Sequence, residues 1–274
     1  MTDPRARPST HSGRSEPVEG PAPSAVEGRD HYSYTAYASP AMARTFDDYR
    51  FGGPIGEILA SSQAHVLANM IGRIQKRTIL DVGTGTGRAA LLLARGGAKV
   101  TAVDASEQML AVARRRSAEQ SVGVRFMLGD AHALDFKDRS FDVAVSLRVL
   151  MHTPQWRRCI AELCRVADRL VIIDYPSATG PALFHAMTRR VVHAVGGRTE
   201  PYRVFTDRAI ARALDQSGFR VRSVHRQFVL PILLHRAIGS RRFTEFSEDL
   251  LDRAGLLRMF GSPVTLCAER CVSS

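Results

Sequence analysis

No apolar run in the sequence approaches the ~20 residues that a membrane-spanning helix needs; the longest candidate, Phe228 to Leu234, is short and interrupted by Pro231. An apolar leader is missing as well, since the chain opens on Met1-Thr2-Asp3-Pro4-Arg5, and the expected compartment is the cytoplasm. Cysteine is scarce. Cys159, Cys164, Cys267 and Cys271 lie at x4 and x3 spacings that match neither a C-x2-C zinc site nor a small disulfide framework, so they read as reduced packing residues and no metal centre is expected. Lysine is nearly absent: among 38 lysines and arginines only Lys76, Lys99 and Lys137 are lysine. So one-sided an arginine usage weakens the nucleic-acid reading that a formal net charge of +11 invites. Part of that arginine also lies among acids, as from Arg241 to Arg253 with Glu245, Glu248, Asp249 and Asp252, the pattern of a solvated helix face.

What is present is a core-forming composition, 45% hydrophobic over 274 residues, enough for one large domain with additions. The chain is organised around Thr78-Ile79-Leu80-Asp81-Val82-Gly83-Thr84-Gly85-Thr86-Gly87-Arg88, which runs on into Ala89, Ala90 and three leucines. That pattern predicts a buried strand, a tight turn and a helix. The glycines remove side chains where the backbone bends and would let a ligand approach main-chain N–H groups at the helix N-terminus. A dinucleotide fingerprint, G-x-G-x-x-G/A, fits when counted from Gly85, with Ala90 as the third small residue, and fails at Arg88 when counted from Gly83. The acid at position 81 separates the readings, because a carboxylate repels phosphate but suits an ammonium group.

With that acid the run D-x-G-x-G-x-G resembles motif I of the class I S-adenosylmethionine-dependent methyltransferases. Further blocks follow in order. Lys99 to Asp104 reads as a second strand ending in an acid about 20 residues past the glycine turn, placed to accept both ribose hydroxyls, with an N-cap as its alternative role. Val124 to Ala131 reads as a third strand, again with an acid at its end, for which a turn-forming aspartate after Gly129 is the alternative. The runs Gly129-Asp130-Ala131-His132-Ala133-Leu134-Asp135-Phe136 and Ser140-Phe141-Asp142-Val143-Ala144 are similar to the subset containing ubiquinone and menaquinone C-methyltransferases. Asp135 stands where that subset usually has proline, and Ala144 where it usually has valine. Leu147 to Gln155 is similar to the subset's L-x-H-x-x-D segment, with Gln155 in place of the acid.

The resemblance implies an enzyme that uses S-adenosylmethionine and releases S-adenosylhomocysteine. It assigns Gly83, Thr84, Gly85 and Gly87 to the methionine and ribose portions and Asp81 to the amino group. Asp104 and Ala105 would take the ribose, Asp130 and Ala131 the adenine, and Met109 is a cofactor contact whose bland reading is helix core. Arg148 is placed against cofactor or acceptor, and His152 is a candidate catalytic base and substrate contact whose plainer reading is a structural hydrogen-bonding histidine. On this reading Asp104→Ala abolishes tight cofactor binding with the fold intact.

The expected fold is α/β, a Rossmann-like doubly wound sheet of seven mostly parallel strands with a helical N-terminal lid and C-terminal helical insertions. Residues 1–35, carrying Pro4, Pro8, Pro17, Pro21 and Pro23, read as a disordered tail. Residues 36–76 read as lid loop and helix, with Tyr37 as a substrate contact, and 77–274 as the catalytic domain with insertions at about 177–204 and 232–261. A basic amphipathic helix from Ala182 to Val195 offers peripheral membrane contact, with core cover as the plainer reading. The expected acceptor is a small, lipophilic molecule with an oxygen, nitrogen or carbon nucleophile. The competing readings are an RNA methyltransferase, which lacks its N/D-P-P-Y/F tetrad after strand four, a nicotinamide oxidoreductase, and a non-catalytic cofactor-binding scaffold.

Overall fold

A computed structural model describes residues 51–179 and 203–271. Tyr37, the proline-rich segment and the helix expected from Ala182 to Val195 lie outside the described residues. The elements in chain order are α1 (Gly53–Ile71), β1 (Thr78–Val82), α2 (Arg88–Arg95), β2 (Lys99–Asp104), α3 (Glu107–Glu119), β3 (Arg125–Leu128) and β4 (Phe141–Ser146). A 3-10 turn (Leu150–His152) leads to α4 (Trp156–Val166), β5 (Ala167–Tyr175), α5 (Asp207–Asp215), β6 (Phe219–Arg226), α6 (Ile232–Ile238), α7 (Arg241–Arg253), α8 (Leu256–Phe260) and β7 (Val264–Arg270).

The seven strands form one sheet in the order β3-β2-β1-β4-β5-β7-β6. All neighbours from β3 to β5 pair in parallel, and β7 runs antiparallel between β5 and β6. Alternation along the strands decides which face each side chain serves. Ile79, Val143, Val145 and Ile172 pack on one face with Leu67 and Met70 of α1 and Leu93 of α2. Leu80, Ala144, Val171 and Ile173 pack on the other with Trp156, Ile160 and Leu163 of α4 and Ile210 of α5. Both faces are covered, which is why these strands read as near-continuous apolar runs.

Local chemistry sets the element ends. The Ser106 hydroxyl accepts the Met109 amide to cap α3, Thr206 caps α5 through Ala209, and Ser240 caps α7 through Phe243. Phe205, which the sequence marks as a staple ahead of α5, is buried edge-on against Trp156 and Tyr175. Strand β6 stops at Arg226, and beyond it the Val229 and Leu230 amides turn to the carboxylate of Glu248 on α7 at 2.7 and 3.0 Å. The helical stretch expected between Ile232 and Phe260 is three helices, broken at Gly239 and Gly255, both in left-handed conformation. None of the described helices is long and apolar enough to cross a membrane.

Candidate functional site

Strand order reverses between β1 and β4, and in doubly wound sheets ligands bind in the crevice at the carboxyl ends of the strands beside such a switch. A cavity of about 180 Å3 lies there, lined by the β1–α2 loop, the ends of β1 and β2, and the segment after β4. Its shape starts with the glycines. Gly83 has φ +72°, and a Cβ on it would come within 2.1 Å of a Val149 methyl, so only glycine lets the β4 segment close against the loop. Gly85 has φ +56° with no atom within 4 Å of where its Cβ would stand, and it lines the cavity.

The loop's own hydrogen bonds revise one expectation. The Gly83 and Thr84 amides donate to the Val103 carbonyl at 2.8 and 3.0 Å, the Gly85 amide to Asp104 Oδ2 at 2.7 Å, and the Gly87 amide to the Thr84 carbonyl at 3.0 Å. These four donors are consumed inside the protein, so the glycines contribute a contour and a close backbone surface rather than an amide cradle. Gly87 itself does not line the cavity. Its left-handed backbone starts α2, and a Cβ there would meet the Ala113 methyl at 2.9 Å.

Two carboxylates face the cavity from adjacent strands. Asp81 is 2% exposed and accepts the Thr84 hydroxyl at 2.7 Å. Burial pushes its pKa up to about 6, against the pull of the Thr84 hydroxyl, the Arg88 charge and the Ala90 amide, while the Asp104 charge adds to the rise. Asp104 accepts the Gly85 amide on one oxygen and the Ser106 amide, at 2.9 Å, on the other. Burial raises its pKa too, with those amides acting in the opposite direction. It is not the cap of α3, a role that falls to Ser106. Because it ties the glycine loop to the start of α3, removing its carboxylate disturbs both, which corrects the expectation that Asp104→Ala leaves the fold untouched. An ionised carboxylate has about four acceptor positions, so the Ser106, Gly85 and Ala105 amides leave room for a ribose hydroxyl.

The remaining predicted residues divide. Thr84, Ala105, Met109, Ala131, Arg148 and His152 line the cavity together with Asp81, Gly83, Gly85 and Asp104. Asp130 does not. Its Oδ1 accepts both the main-chain amide of His132 at 2.9 Å and the His132 ring Nδ1 at 2.7 Å, the turn-forming role given as its alternative. His132, the residue that turn presents to the cavity, went unmarked, although its place two residues after the acid was the available signal. Phe51, Arg88, Val149 and Thr153 also line the cavity without having been singled out for the site. The Arg88 guanidinium lies 3.9 Å above the Phe51 ring and donates to Gln63 of α1, which holds Phe51 and Arg88 together at the cavity. Among the described residues no cluster of histidines, cysteines and acids could hold a metal ion.

Sheet order, switch-point cavity and glycine bend together define a Rossmann-like α/β domain. Residues 79–169 match the family described as a methyltransferase domain. The matched segment runs from β1 into the start of β5, about a third of the chain. It is 34% identical over 129 residues to the demethylmenaquinone methyltransferase of Thermus thermophilus, a match covering 44% of this chain and 59% of that enzyme. To the demethylmenaquinone methyltransferase of Tropheryma whipplei it is 29% identical over 187 residues, 62% of this chain and 77% of that one. In three dimensions it is similar to the magnesium protoporphyrin IX methyltransferase of Synechocystis solved with bound S-adenosylhomocysteine, with a TM-score of 0.63 at 18% identity over 87% of this chain and 98% of that chain. This last likeness is one of fold.

Proposed function

We propose that the chain transfers a methyl group from S-adenosylmethionine to an oxygen, nitrogen or carbon nucleophile of a small, lipophilic acceptor. The observation that carries this is the pair of acids at adjacent strand ends, Asp81 and Asp104, on either side of a left-handed glycine with open space above it. The residues fit the cofactor. Asp81 is a buried carboxylate held by a hydroxyl and an amide, and a ligand's ammonium group would supply the compensating cation that burial makes favourable. Asp104 keeps acceptor capacity for a hydroxyl, and Met109, 2% exposed, gives the floor an apolar surface.

When bound, the cofactor supplies an activated methyl on a sulfonium whose leaving group is a neutral thioether, so no general acid is required. The chain's work is then to hold two reactants in line and keep water out. His152, on the 3-10 turn after β4, is half-buried at the cavity wall, and we assign it to proton removal from a weakly acidic acceptor. Turnover that survives His152→Ala in full would remove it from that role.

The test is transfer of radiolabelled methyl from S-adenosylmethionine by purified protein into host extract, separated into organic-soluble, aqueous small-molecule, RNA and protein fractions. Label in either of the first two supports the proposal. Label confined to RNA, or none in any fraction alongside intact cofactor binding, overturns it in favour of an RNA methyltransferase or a scaffold.

A further inference from the structure

The cavity holds a cation whose hydrogen-bonding capacity the described residues leave partly unused. Arg148 follows β4, lines the cavity, and has a left-handed backbone with φ 65°. For a non-glycine residue that conformation is strained and persists only where the surroundings impose it. Here they do: the Arg148 amide donates to Asp174, a carboxylate only 2% exposed at the end of β5. The half-buried guanidinium of Arg148 has its Nε sealed from solvent with no hydrogen-bond partner among the described residues. A desolvated donor on a cation is expensive to leave unmatched. Arg88, the other arginine at the cavity, differs in each respect, lying over Phe51, bonded to Gln63 and acting on the charge of Asp81.

On the reading above, Asp81 and Arg88 already present the opposite charges that a zwitterionic amino-acid end requires. Both belong to the β1–α2 side of the switch point, whereas Arg148 belongs to the β4 side. We propose that Arg148 is the anion-recognition residue for the methyl acceptor, which therefore carries a carboxylate or an ionised acidic hydroxyl. The apolar cavity residues beside it, Leu147, Val149 and Pro154, suit the body of an aromatic acid. This inference rests on the methyltransferase reading.

The experiment uses the full chain loaded with S-adenosylhomocysteine and reads binding by ligand-observed NMR. The probes are 2-naphthoate and its uncharged counterpart 2-naphthamide. The variants are Arg148→Asn, whose side chain tolerates the left-handed backbone while losing the charge, and Arg148→Lys, which restores it. Expected is a preference for the acid of roughly tenfold or more in the natural protein, shrinking to about twofold in Arg148→Asn and returning in part with lysine. Calorimetry with S-adenosylhomocysteine should give unchanged affinity in all three proteins. Equal binding of acid and amide, no binding of the acid at millimolar concentration, or a preference that survives Arg148→Asn overturns the proposal. A tenfold loss of S-adenosylhomocysteine affinity in Arg148→Asn would move the anion to the cofactor's own carboxylate and overturn it as well. Failure of the natural protein to bind S-adenosylhomocysteine brings down the methyltransferase reading, and this inference with it.

Discussion

Asp81 is a carboxylate kept almost dry, with no cation bonded to it among the described residues. Its pKa is pushed from 3.8 up to about 6, so the folded protein holds that proton more tightly than the unfolded chain does. The sign follows. The group favours the folded state below about pH 4, and this contribution is lost as pH rises through 6. Two pKa units correspond to about 3 kcal/mol, most of which disappears between pH 4 and pH 7. Asp81→Asn keeps an acceptor for the Thr84 hydroxyl and cannot ionise. Urea unfolding of both proteins across pH 4 to 7.5 should show the variant gaining about 2–3 kcal/mol on the natural protein as pH rises. The comparison cancels every other titrating group except those that feel Asp81 directly, chiefly Asp104 and Arg88. Calorimetry in the same series should show S-adenosylhomocysteine affinity in the natural protein falling below about pH 6, where the carboxylate that would accept the amino group becomes protonated. In Asp81→Asn the affinity should be low and nearly flat. A stability difference independent of pH would refute the burial argument; a strong affinity that survives the substitution would refute the assignment to the amino group.

Four more expectations follow from the geometry. Gly83→Ala should cost about 2–4 kcal/mol by urea unfolding, combining left-handed strain with the collision at Val149, whereas Gly85→Ala should cost only the strain, about 1–2 kcal/mol, and lose S-adenosylhomocysteine affinity instead. Asp104→Ala should lower stability by about 2–4 kcal/mol and also abolish cofactor binding, since it orphans the Gly85 and Ser106 amides; an unchanged urea midpoint would sink this. Glu248→Ala removes the acceptor of two main-chain amides and of buried His235, so hydrogen exchange should rise across α6 and the 227–231 segment first, with about 3 kcal/mol lost locally. Asp142, whose pKa is lowered by the Thr78 amide and hydroxyl and by Arg77 against the opposing effect of burial, ties the start of β1 to the start of β4. Its stabilisation is present above pH 4 and is lost as pH falls through the lowered folded value, so Asp142→Asn should differ from the natural protein at pH 6 and the difference should shrink on acidification.

How much of this was legible in the sequence depends on whether a residue's job is set by its neighbours in the chain or by a distant segment. The order of strands and helices was readable because buried parallel strands and one-faced helices leave periodic apolar patterns, and α4 runs from Trp156 to Val166 as those patterns place it. Asp81 and Asp104 were readable because they end strands, and strand ends point at the crevice. What the chain order hides is competition for the same polar atoms. The glycine-loop amides look available to a ligand until β2 is folded beside them and the Val103 carbonyl and Asp104 carboxylate take them up. Asp130 looks like a base-reading acid until His132, two residues on, claims its oxygen from the ring as well as the main chain. The same holds in reverse for Arg148. Its left-handed backbone depends on Asp174, 26 positions away at the end of β5, and no local pattern announces that clamp. A residue that long-range contacts both strain and leave uncompensated is where fold stability has been given up, and that is the physical reason to place substrate selection at Arg148 rather than at the better-satisfied groups around it.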